Sequence, residues 1–264
     1  MNAVEHGKPP VVLIHGMWST EEALSEVRQA FEAEGYGVHA LCLPFHKNKA
    51  DYDREDKARL ARASLQEYVD FLVEKVKALE VAPILVGHSM GGLLAQLVAA
   101  RVPVDRLVLL SSAAPGGING WSGSMIRTLG RNLLRFPMWR SVTEVTAGNI
   151  RYGIANTQSA AIQTQITDLA TYESGMATFQ IGIGGLLPNG FSRINPRDVS
   201  CPVLVIGGME DRITPIKIQR AIAKKYGARS QLVELPGTCH WTVGGSNFPK
   251  VRAAIFQWLD AKAA

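Results

Sequence analysis

A chain of 264 residues, 47% hydrophobic and 19% charged, has enough apolar side chain to bury a sizeable core without disulfide or metal staples, which excludes disordered and low-complexity scaffolds. Lysine and arginine number 28 against 23 acidic residues, for a net charge of +5. The basic residues are scattered among acids, as across Asp51–Arg62, and with no long cationic run and no arginine–aromatic interleaving, a nucleic-acid partner is not expected. The cysteines are Cys42, Cys201 and Cys239, an odd number that cannot all pair within one chain and that argues for a reducing compartment. Residues Met1–Pro10 lack the apolar centre of a signal peptide, and no stretch of the chain is apolar for long enough to span a bilayer. The expectation is a soluble, cytoplasmic protein.

Short apolar runs alternate with helical periodicities. Val11–Ile14 reads as a buried strand from its length and β-branching, followed by a helix over 20–34 and a strand over 38–43. Leu65, Val69, Leu72, Val76 and Leu79 then recur at alternating spacings of four and three, which places all of them on one face of a helix that Pro83 should stop. A strand over 83–86, a helix over 90–101 and a strand over 107–110 follow. The pattern resumes with strands over 203–206 and 231–235 and helices over 215–226 and 247–262. The strands are apolar throughout rather than alternating, as a parallel sheet covered on both faces requires. Strand–helix–strand repetition therefore predicts right-handed crossovers in a three-layer α/β sandwich. Residues 115–195 break the rhythm: Gly and Ser are frequent, helical pieces are weakly periodic, and no strand is expected. A stretch so long is a helical cap inserted into a core formed by 1–114 and 196–264.

The strongest chemical signal is Gly87-His88-Ser89-Met90-Gly91-Gly92, directly after a strand and before an apolar helix. A serine flanked by glycines at i−2 and i+2 suits a strained strand-to-helix turn, because a Cβ at either flank would collide with neighbouring chain. Such a turn exposes the hydroxyl and aims the first helical N–H groups at whatever it attacks. A lone serine is a weak nucleophile and needs a base and an orienting acid. Two later strands are followed by Gly207-Gly208-Met209-Glu210-Asp211-Arg212 and by Pro236-Gly237-Thr238-Cys239-His240-Trp241. Asp211, favoured over Glu210, and His240 fall where an acid and a base should be. His39 lies within a strand, and His6 and His46 lie in polar loops; these are read as structural or exposed. Two amides must face the developing oxyanion: Met90 N–H, after the nucleophile, and Met17 N–H, in the loop His15-Gly16-Met17-Trp18, where Gly16 permits close approach. Cys239, beside the base, is read as a small packing residue.

These motifs, in this order over essentially the whole chain, resemble the α/β-hydrolase superfamily of serine hydrolases. The resemblance implies Ser89 as nucleophile, His240 as base and Asp211 as its orienting acid; with no His-x₃-His or Cys-x₂-Cys spacing in the sequence, and chemistry that needs none, no metal or other cofactor is expected. Only ten residues precede the first strand, so the two leading antiparallel strands common in the family are expected to be missing, leaving a mostly parallel six-stranded sheet in a three-layer sandwich with a helical cap. The elbow wording looks like monoacylglycerol lipases, small carboxylesterases and C–C hydrolases alike. The expected substrate is a small to medium, largely apolar carboxylic ester. C–C hydrolysis, thioesterase or acyltransferase chemistry on the same triad, and a ligand-binding receptor on a hydrolase fold, are the alternatives. His15, Gly16, Trp18 and Trp241 are the candidate substrate contacts. In the cap, Met125, Ile126, Leu129, Leu133 and Leu134 share one helical face and Arg127, Arg131 and Arg135 another. The main reading is a helix packed on the core, with a membrane-touching lid or an arginine stripe facing an acidic substrate as alternatives. Trp121, Phe136 and Trp139 also belong to the cap, and its aromatics suit an apolar ligand. Oligomeric state is not legible.

Overall fold

A computed structural model describes residues 7–133, 135–182, 187 and 190–263. Among the described residues the main sheet has six strands, all parallel: β1 (Val11–Ile14), β2 (Val38–Leu41), β3 (Ile84–His88), β4 (Arg106–Leu110), β7 (Val203–Gly208) and β8 (Ser230–Leu235). They lie in the order β2-β1-β3-β4-β7-β8. Residues alternate between the two faces. Val12, Ile14, Leu85, Leu107, Leu109, Val203 and Val205 form one core with α3 (Leu65–Lys77), α4 (Met90–Ala99) and α9 (Ile216–Tyr226). Val11, Leu13, Ile84, Val86, Val108, Leu110, Leu204 and Ile206 form the other with α1 (Ser25–Ala33) and α10 (Phe248–Ala263). The three-layer sandwich expected from the apolar strands is the one observed.

Several details differ from the sequence reading. The helix carrying Leu65, Val69, Leu72 and Val76 ends at Lys77 and does not run on to Pro83; Leu79 sits in the following turn, its amide bonded to Val76 O. Strand β2 ends at Leu41, although Leu43 is still buried. A helix that the periodicity did not reveal, α2 (Arg54–Arg62), starts from a capping box between Asp53 and Asp56. Only Leu60 and Ala61 of it are buried, which leaves too little apolar stripe to read.

The insertion between β4 and β7 holds α5 (Gly123–Leu133), the short α6 (Ala147–Asn149), α7 (Ala160–Leu169) and α8 (Gly175–Gly182). Contrary to expectation it also contains two strands, β5 (Val142–Thr143) and β6 (Glu173–Ser174), paired antiparallel. Two-residue strands carry no periodicity, so nothing in the sequence announces them. Gly175 closes this pair against the chain: a Cβ there would stand 2.2 Å from Ser141 O. Among the described residues no helix is long and apolar enough to cross a membrane.

Candidate active site

Ser89 sits between β3 and α4 with φ 54° and ψ −117°, a conformation an L-residue holds only when its surroundings impose it. Those surroundings are backbone. Ser89 N donates to Leu110 O at 3.0 Å, and Ser89 O accepts from Ala113 N at 2.9 Å. A Cβ on Gly87 would lie 2.2 Å from Gly91 O, and one on Gly91 would lie 2.1 Å from Ile14 O. Both glycines are therefore required, and α4 can press against β1 only because Gly91 has no side chain.

His240 lies five residues beyond β8 and Asp211 three beyond β7, so three loops at the carboxyl end of the sheet converge. His240 Nε2 is 3.0 Å from Ser89 Oγ, and His240 Nδ1 is 2.8 Å from Asp211 Oδ2. Ser89, His240 and Asp211 are each less than 10% exposed. Burial alone would raise the Asp211 pKa, but the facing imidazole and two amides outweigh it and hold the carboxyl below its ordinary value. Those amides are Ile213 N and Thr214 N, each 2.8 Å from Oδ1. Glu210 is exposed and its amide serves to hold the neighbouring loop, bonding Thr238 O at 2.9 Å.

Two residues that sequence reasoning passed over hold this arrangement. Thr214 Oγ1 lies 2.9 Å from Asp211 Oδ2, 3.0 Å from Ser111 O and 3.2 Å from His240 Nδ1. His88 Nε2 donates to His240 O at 3.0 Å, bracing the His240 loop from within the turn that carries Ser89. Burial, then the neighbouring His240, push the His88 pKa down to about 3, so the ring is neutral at neutral pH. A His within the Gly-x-Ser turn is a visible signal, but its partner is not.

The proposed oxyanion loop runs beside Ser89: a Cβ on Gly16 would come within 3.1 Å of Ser89 Cβ. Met90 N–H belongs to the first turn of α4, where helix geometry supplies no internal acceptor. His15 does not reach the cavities. It is fully buried, its Nδ1 bonded to Gly16 O at 2.8 Å and its Nε2 accepting from Leu43 N at 3.1 Å. That removes it from the substrate contacts and makes it a brace of the loop. Gly16 likewise lines neither chamber and acts by allowing close approach. Trp18, at φ 57°, donates from Nε1 to Thr143 Oγ1 at 3.0 Å, tying this loop to β5.

Two apolar chambers meet at Ser89 and share Met17, Trp18, Ser89 and Ile213. One, of about 40 Å³, is lined by His240, Trp241, His88, Ile150, Ile154 and Ile166 among others. The second, of about 100 Å³, is walled by Ile118, Trp121, Met125, Leu129 and Ile181. Of the α5 apolar face, Met125 and Leu129 thus point into the site, Ile126 is exposed, and the side chains of Leu133 and Leu134 lie outside the described residues. Two of the three arginines are engaged elsewhere. Arg127 stacks on the Tyr152 ring at 4.1 Å, and Arg135 bonds Val142 O and Glu144; the Arg131 side chain and His6 lie outside the described residues. Phe136, 86% exposed, packs edgewise on Trp139 and does not line the site. Cys239 is buried, with Asn247 Nδ2 3.3 Å from its sulfur. Among the described residues no cluster of three or more His, Cys, Asp or Glu side chains is placed to hold a metal ion.

A six-stranded parallel sheet with a strained serine at the tip of its third strand, and a histidine and aspartate from later loops, defines an α/β-hydrolase architecture. A sequence profile of the alpha/beta hydrolase family matches residues 11–246, and the chain belongs to that family. It is 27% identical over 246 residues, 91% of this chain and 90% of the relative, to a pimeloyl-(acyl-carrier protein) methyl ester esterase of Xanthomonas oryzae pv. oryzae. Among solved structures it is similar to a methylesterase from Arabidopsis, with TM-score 0.71, 15% identity and coverage of 96% of this chain and 99% of that one. A Paleococcus ferrophilus monoacylglycerol lipase gives TM-score 0.67 at 22% identity, covering 96% and 95%. At these identities the structural likeness is one of fold.

Proposed function

We propose that the protein is a serine hydrolase that cleaves carboxylic esters of small to medium, largely apolar substrates through an acyl-enzyme on Ser89. The observation that carries this is the continuous hydrogen-bonded run from Ser89 Oγ through His240 to Asp211, at 3.0 and 2.8 Å, opening where two apolar chambers meet. Similarity to a methyl ester esterase over nine-tenths of the chain supports ester chemistry.

In this reading His240 Nε2 takes the Ser89 proton as Oγ attacks the carbonyl carbon, and the Met17 and Met90 amides donate to the oxyanion. The imidazolium then gives that proton to the departing alkoxide oxygen, releasing the alcohol. Water, deprotonated by His240, attacks the acyl carbon, and Ser89 Oγ recovers the proton as the acid leaves. Asp211 fixes the imidazole tautomer, its own orientation held by the Ile213 and Thr214 amides. No step calls on a metal or cofactor.

Fluorophosphonate labelling combined with turnover of p-nitrophenyl esters tests the scheme. Wild type should label and turn over, and Ser89→Ala should do neither while keeping its circular dichroism and melting temperature. A Ser89→Ala protein with most of the wild-type rate contradicts it.

A further inference from the structure

The two chambers differ in one respect that matters chemically: His240 lines the smaller and not the larger. In an ester hydrolase the base must deliver its proton to the leaving oxygen, so the leaving group has to lie on the imidazole side of Ser89. The acyl chain then occupies the larger chamber, between Ile118, Trp121, Met125 and Leu129. The smaller chamber is a narrow throat of about 40 Å³ walled by Ile150, Ile154 and Ile166. Ala23, Ile166, Leu169 and Trp241 line both it and a surface cleft of about 390 Å³. That cleft adds the carboxylates Glu22, Glu26 and Asp168, and no lysine or arginine is among its lining residues.

We propose that the throat and cleft bind the alcohol portion of the substrate, and that they select an unbranched primary alkyl chain without negative charge, threaded past Trp241 towards solvent. The proposal rests on the ester-hydrolase reading and deepens it. A methylene chain fits a narrow apolar passage, whereas a branch at the carbinol carbon meets the isoleucine walls. Each methylene drawn into the passage should raise kcat/KM by up to about fourfold, the equivalent of one buried CH₂. An anionic tail, arriving among three carboxylates, should be disfavoured.

The test is kcat/KM of the full chain on butyrate esters of methanol, n-hexanol, cyclohexanol and 6-hydroxyhexanoate, each divided by its hydroxide-catalysed rate. The n-hexyl ester is expected to exceed methyl by tenfold or more, and to exceed both the cyclohexyl and the carboxylate-bearing ester. Ala170→Phe, in the throat, should collapse the n-hexyl to methyl ratio towards one. Ala114→Phe, in the other chamber, should instead shift the preference between butyrate and octanoate and leave the alcohol ratio alone. Should Ala170→Phe fail to fold, Ile166→Ala widens the throat and is expected to raise cyclohexyl relative to n-hexyl by fivefold or more. A methyl ester as good as n-hexyl, a carboxylate tail that costs nothing, or an alcohol ratio that follows Ala114→Phe overturns the assignment while leaving the hydrolase reading intact. Wild type that turns over no ester and leaves Ser89 unlabelled overturns that reading, and the assignment with it.

Discussion

Asp211 is buried yet charged because every lone-pair direction is spoken for: two amides on Oδ1, the His240 ring and the Thr214 hydroxyl on Oδ2. Asp211→Asn keeps the shape but favours the wrong imidazole tautomer. We expect kcat to fall by roughly three to four orders of magnitude with little change in KM, measured by steady-state ester hydrolysis. The histidines give a separate prediction. His15 and His88 are both held near pKa 3, chiefly by burial, against about 6.5 in the unfolded chain. Unfolding therefore takes up two protons between those values, and the stability contributed by these neutral rings is lost as pH falls through 6.5 towards 3. From pH 6 to pH 5 unfolding free energy should drop by about 2 to 3 kcal/mol in urea titrations, and His88→Asn should remove about half of that slope. Ser89, Asp211 and His240 were legible as candidates because each follows a strand in chain order. Thr214 and His88 were not, since their work is done on Asp211 and on the His240 carbonyl, which only the folded loops bring near.

At the scale of elements, the long ones were readable and the short ones were not. β1, β3, β4 and β7 are continuous apolar runs, and the packed face of α3 is a clear stripe; α2 and the β5–β6 pair have neither signal. Their positions are set by end contacts, such as the Asp53–Asp56 box that starts α2. The start of α3 has a similar box, with Ser64 Oγ accepting from Glu67 N at 3.2 Å. Ser64→Ala should lower stability by about 1 kcal/mol, read from urea midpoints, without changing ester turnover. Gly91→Ala should behave very differently. Its Cβ would stand 2.1 Å from Ile14 O, so α4 must retreat from β1 and carry the Ser89 turn with it. We expect loss of about 1–3 kcal/mol or more together with loss of activity, since overpacking here displaces backbone and not a flexible side chain.

Across the whole molecule, one of the ties between the segment that joins β4 to β7 and the rest of the chain is built around the buried side chain of Glu173. Glu173, on β6, is fully buried. Its carboxylate lies 3.0 Å from His46 Nε2 and 3.1 Å from Tyr68 Oη, and accepts from Ser174 N. His46 in turn meets the His15 ring edge-on at 5.0 Å, so the contacts around Glu173 reach the residue that braces the His15–Trp18 loop. Burial lowers the His46 pKa, but Glu173 and the loop carbonyls outweigh it and the net shift is upward. Its contribution is therefore complete below about pH 6.5 and is lost as pH rises through the raised native value. Glu173→Gln leaves a buried imidazole without its counter-charge; a loss of about 3–5 kcal/mol in urea unfolding, with the alkaline component of the pH dependence gone, is the expected result. The break in rhythm over 115–195 is visible in the sequence, yet Glu173 sits amid that weakly periodic stretch and reads as any polar residue. The proposed hydrolysis requires a covalent acyl group on one hydroxyl, that of Ser89. Rapid acid quenching of the protein during turnover of p-nitrophenyl butyrate, followed by peptide mass mapping, should find one butyryl group on the peptide containing Ser89 and on no other. A steady state with full ester turnover and no acyl group on that serine would contradict it.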